Sequence, residues 1–74
     1  MRQPVRYIIK KEILGTNDKF IGYKYYFKTL GGVPEWVDAK SMAMRFSSQK
    51  EAAKAIEDMR FLVIARMSVE EIKL

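Results

Sequence analysis

The chain has 74 residues, a net charge of +5 and neither cysteine nor histidine. Those absences exclude disulfides, thiolate zinc sites and imidazole chemistry, and the length limits the chain to a single domain, 1–74. A chain this short buries only about 60% of the surface it exposes when unfolded, so apolar burial has to supply its stability, and a homodimer is expected to complete the small core.

An apolar share of 49% is that of a folded domain and not of a disordered tail. Met1-Arg2-Gln3-Pro4 runs straight into an alternating segment without an apolar run of signal-peptide length. No stretch approaches the roughly 20 apolar residues of a membrane span. A cytoplasmic protein is the expectation. The charge is unevenly spread. Residues 1–29 hold seven basic side chains against Glu12 and Asp18, whereas residues 30–74 hold seven of each sign. The basic excess therefore sits on the first third of the chain, as in a footprint for an acidic partner or as a plain solubilising surface.

Val5 to Ile13 alternates with the period of a strand, Val5, Tyr7 and Ile9 against Arg6, Ile8 and Lys10. Gly15-Thr16-Asn17-Asp18 is a turn cluster. Lys19 to Thr29 alternates again, with Ile21, Tyr23, Tyr25 and Phe27 on one face and Gly22, Lys24, Tyr26 and Lys28 on the other. The two runs read as an antiparallel hairpin. Gly31-Gly32 ends the second strand, and Glu35-Trp36-Val37 follows as a short third one, with Pro34 near its start where a lost N–H is tolerated. The next stretch has two readings: Asp38 caps a helical turn through Met44, or Met42 to Phe46 is a strand.

Ser48-Gln49-Lys50-Glu51 is a capping box, and Ala52, Ala55, Ile56 and Met59 follow at helical spacing. Phe61 to Ala65 has the composition of a buried strand, although Val63 and Met67 also continue the helical spacing. As a strand, this stretch is apolar on both faces, and one helix covers only one of them; this is the second reason to expect a homodimer. Residues 68–72 read as a last helical turn or as an extension of that strand. The summed pattern is α+β: an antiparallel sheet of three to four strands, built from the N-terminal hairpin and a C-terminal strand, packed on one main helix.

The function classes are bounded mostly by absence. Histidine and cysteine, the usual general bases and thiol nucleophiles, do not occur, and Ser48 is explained as a helix cap. Glu70 and Glu71 would face opposite sides of a strand. Asn17-Asp18 is too little for an oxygen cage around a divalent metal, and Gly31-Gly32 is no phosphate loop. No catalytic residue, metal site or cofactor is expected. The features left for partner binding are Lys24, Tyr26 and Lys28 on the second strand, Arg6 and Lys10 on the first, and Trp36. Lysines beside an exposed aromatic are what a single-strand nucleic-acid surface presents, whereas Trp and Tyr also favour the centres of protein interfaces. The competing roles are structural, with Tyr26 packed under the helix and Trp36 in the core. On the exposed-face reading, replacing Lys24, Tyr26 and Lys28 together by alanine abolishes partner binding without unfolding the domain.

Three runs, Tyr7-Ile8-Ile9-Lys10-Lys11, Gly22-Tyr23-Lys24-Tyr25-Tyr26 and Ala43-Met44-Arg45-Phe46-Ser47-Ser48 with Glu51-Ala52, together with Trp36, give most of the chain its character. In these it resembles the small accessory proteins of tailed bacteriophages. That resemblance implies a one-domain protein that inhibits by binding a host protein or complex in replication, transcription, recombination or defence. It carries no binding residues over. The alternative is a nucleic-acid-binding domain that uses the same basic-aromatic hairpin.

Overall fold

A computed structural model of the chain describes residues 4–63 and 65–73. Four antiparallel strands, β1 (Val5–Leu14), β2 (Phe20–Leu30), β3 (Val33–Val37) and β4 (Met67–Lys73), form one sheet in the order β3-β2-β1-β4, with a helix α1 (Gln49–Met59) on one face. The α+β reading of the sequence holds.

The β1–β2 hairpin forms where the alternation places it. Its connection turns through Asn17 and Asp18, both at positive φ, which short polar side chains tolerate. The register pairs Lys10 with Tyr25 and Lys11 with Lys24. The β2–β3 turn is a glycine pair, Gly31 and Gly32, at φ 59° and 81°; a two-residue hairpin turn of this hand requires positive φ at both positions. Pro34 is accommodated because β3 is an edge strand.

Between the strands and the helix the chain does something that neither sequence reading describes alone. Residues 40–42 make one 3-10 turn, whose N-terminus has no side-chain cap; Asp38 lies near Lys24 instead. The chain then enters the gap where β1 and β2 diverge. The Met44 N–H donates to the Tyr26 carbonyl at 2.8 Å, and Tyr7 and Phe46 exchange two backbone hydrogen bonds of 2.9 and 2.7 Å. The contact of Lys40 with Glu70 puts the 3-10 turn on the helix-free face, whereas Phe46 packs on the helix side, stacked at 6.4 Å on Tyr26.

At the helix N-terminus the Ser48 hydroxyl accepts from the Glu51 N–H at 3.1 Å, which is half of the capping box. The Glu51 carboxylate accepts from the Ser47 hydroxyl at 2.7 Å and not from the Ser48 backbone. The apolar stripe of α1 faces down: Ala52 and Met59 are buried with Ile9 and Tyr26, and Ala55, Ile56, Tyr7, Trp36, Phe46, Val63, Met67 and Val69 pack around them. The helix lies mainly over β1 and β4, and it meets β2 and β3 only through the rings of Tyr26 and Trp36.

The strand expected over Phe61 to Ala65 is displaced. The helix ends at Met59, whose carbonyl accepts from the N–H groups of both Leu62 and Val63, and residues 60–62 are a turn. The fourth strand begins at Met67, opposite Lys11. The physical reason is reach: the chain leaves the helix above the sheet and needs several residues to return to the β1 edge. Phe61 is consequently 92% exposed. The two-faced apolar strand offered as a ground for dimerisation does not exist at that place; Ile64, which belonged to it, and Arg2 lie outside the described residues.

Candidate functional site: an apolar groove beside Trp36

Side-chain faces follow from register. Lys24, Tyr26 and Trp36 share the helix side of the sheet, Trp36 being the cross-strand partner of Tyr26. Lys10 pairs with Tyr25 and Arg6 with Ile72, so both belong to the helix-free side. A bulge between Tyr26 and Lys28 resets the alternation, and Lys28 faces Glu35, on the side opposite Trp36. The six residues expected to form one binding surface are therefore divided between two faces.

Tyr26 is also not exposed. Only 7% of it meets solvent; its ring lies edge-on to Trp36 at 5.8 Å, and its hydroxyl is 2.6 Å from that of Thr29. The reading of Tyr26 as an exposed stacking aromatic is corrected to a core residue. Arg6 donates to the Val5 carbonyl at 2.8 Å, and Lys28 lies over the ring of Phe27.

The helix-free face is organised by charge. Glu70 accepts from Lys10 at 3.2 Å and is in contact with Lys40, which arches over from the 3-10 turn. The two ammonium groups also sit over the rings of Tyr23 and Tyr25. The Lys40 contact, more than that of Lys10, holds the Glu70 carboxyl below the usual glutamate range; the same contact holds Lys40 above the usual lysine range. A depressed carboxyl contributes stability that is fully present above its unfolded value, about 4.3, and is lost as pH falls through the folded value. We therefore expect the difference in urea midpoint between wild type and Glu70→Gln to be constant around neutrality, to shrink below about pH 4 and to vanish in stronger acid. A difference that stays constant into acid would show that the charge on Glu70 contributes nothing to stability.

On the helix side, where α1 stops short of β2 and β3, an open groove of about 410 Å³ remains. Lys11, Trp36, Val33, Pro34, Leu62, Val63 and Ala65 line it. Val33 and Leu62 are each more than 60% exposed. The Lys11 ammonium lies 4.6 Å over the Trp36 ring at the groove wall. Of the residues singled out by sequence only Trp36 belongs to this groove. Lys11, Leu62 and Val63 were not separable beforehand: Lys11 depends on the hairpin register, and Leu62 and Val63 read as strand core.

No grouping of three acidic side chains suited to a metal ion occurs among the described residues, and no helix among them is long and apolar enough to cross a membrane. The fold and groove define a small α+β domain with an apolar recess on an incompletely covered sheet. Compared with family models, with characterised proteins and with solved structures, the chain matches none.

Proposed function

We propose that the chain is a non-catalytic protein-interaction module of the cytoplasm that docks a partner protein in the groove beside Trp36, in the manner of the host-directed phage inhibitors its sequence resembles. The observation that carries this reading is the contiguity of exposed Val33 and Leu62 with half-buried Pro34 and Val63 around Trp36. An apolar recess centred on a tryptophan has the composition of a protein-docking surface. The alternative, a nucleic-acid surface on the hairpin, loses support with the burial of Tyr26 and the division of its lysines between faces.

The test is capture from bacterial lysate on tagged protein, with and without nuclease, beside the variant Leu62→Asp. Leu62 is exposed in a turn, so the variant should keep the wild-type thermal midpoint. One dominant protein that survives nuclease and is lost with Leu62→Asp is the expected result. Recovery that disappears with nuclease, or capture that Leu62→Asp leaves intact, would overturn the reading.

A further inference from the structure

The hairpin register sets Lys11 directly opposite Lys24 on the helix side of the sheet. Like charges in that position destabilise a strand pair. Within the domain little offsets them. Lys11 has no carboxylate within ion-pair distance among the described residues, and Lys24 meets only Asp38, at 3.8 Å, whose side chain is 87% exposed. Burial lowers the pKa of Lys11, and the neighbouring Lys24 lowers it further. The Lys11 ammonium thus stands at the wall of an apolar groove with Lys24 beside it, just outside the lining; the pair has too little countercharge, and the fold tolerates this at some cost. A carboxylate supplied from outside would remove that cost.

Resting on the reading of the groove as a protein-docking site, we propose that its occupant is a short acidic-apolar segment of a partner protein. An aliphatic side chain seats against Pro34, Leu62 and the rim of Trp36, and a flanking aspartate or glutamate is held by Lys11 and Lys24. Charge complementarity selects this occupant over the others. A second copy of the chain carries +5 itself, and Glu12, Glu57 and Glu70 already lie against cations of their own molecule. A nucleic-acid base would need the face of Trp36 that the Lys11 ammonium occupies.

Trp36 is the sole tryptophan, so its emission reports occupancy of the groove directly. A displayed library of random short peptides is selected on the wild-type protein, and the enriched sequences are synthesised and titrated against Trp36 emission. The expected consensus is an aliphatic residue flanked by acids. Its asparagine/glutamine isostere should bind at least about tenfold more weakly, and Lys11→Gln and Lys24→Gln should each cost about tenfold, the loss of one charge-assisted contact. Enrichment without acids, no enrichment, or equal binding of the isostere would overturn the proposal. So would tighter binding of a thymidine oligonucleotide, or a groove closed by self-association, seen as a concentration-dependent emission change without peptide. The two readings fail separately. Lysate capture lost with Leu62→Asp but kept in the Lys11→Gln, Lys24→Gln double variant leaves the docking site standing and removes its acidic occupant.

Discussion

Replacing Ile8 by alanine is expected to destabilise the domain about as much as replacing Ile9, although the two side chains point to opposite faces of the sheet. Both are fully buried. Ile9 lies in the cluster under α1. Ile8 has no helix above it. Its cross-strand partner is Glu70, and the connection through residues 38–43 is bound to Glu70 through Lys40, with Ala43 buried on the way. A single irregular segment thus does on one face what the helix does on the other. Truncating a buried isoleucine to alanine costs about 2–5 kcal/mol. A domain of this length holds about 4–11 kcal/mol in all. Each substitution should therefore lower the thermal midpoint by roughly 8–40 °C. If Ile9→Ala does so and Ile8→Ala shifts the midpoint by only a few degrees, the segment over the helix-free face is not packed and the sheet is covered on one side only.

The parts of this fold that were legible in the sequence are those whose signals are local. Alternation over Val5 to Ile13 and Lys19 to Thr29 needs no knowledge of the rest of the chain, and neither does the Ser48 cap with its apolar stripe from Ala52 to Met59. The errors arose where a local signal was overridden by a tertiary requirement. Phe61 to Ala65 has strand composition, but the chain must use those residues to return from the helix to the sheet. The true last strand, Met67 to Lys73, is an edge strand with Glu70, Glu71 and Lys73 on it. Charged edges discourage pairing with other chains, and the same charges dilute the strand signal. The rule that neighbouring acids on a strand face opposite ways did survive: Glu70 pairs with Ile8 and Glu71 with Tyr7, on alternate sides of the pleat.

The candidate site was less legible than the fold, for a reason that lies in one bulge and one gap. Alternation alone puts Lys24, Tyr26 and Lys28 on one face. The bulge at Phe27 moves Lys28 to the other face, where it meets Glu35. The gap between β1 and β2, filled by Met44 to Phe46, brings the Phe46 ring onto Tyr26 and converts an apparently exposed aromatic into a core one. Lys11 and Lys24, by contrast, become neighbours only once the length of the turn at residues 15–19 has fixed the register.

The second large effect follows from that conversion. Tyr26→Ala is expected to cost about 3–5 kcal/mol, the range for removing a buried aromatic ring. The ring touches Trp36 and Phe46 at once, and its loss leaves a cavity under α1 that rigid neighbours on three strands cannot close. The triple alanine substitution of Lys24, Tyr26 and Lys28, expected from sequence to spare the fold, should instead lose a large share of the domain's stability, and any binding it loses would say nothing about a binding face. Tyr26→Phe separates the ring from the hydroxyl: it gives up only the contact with Thr29, about 1 kcal/mol, and should keep the wild-type spectrum of Trp36. Urea melts followed by Trp36 emission and by far-ultraviolet circular dichroism measure both variants. Should Tyr26→Ala melt within about 1 kcal/mol of wild type, the ring is not a keystone of the core, and the surface it was first assigned to becomes open to question again. Should it melt as expected, the double variant Lys11→Gln, Lys24→Gln and the single variant Leu62→Asp are the substitutions that probe binding without touching that core.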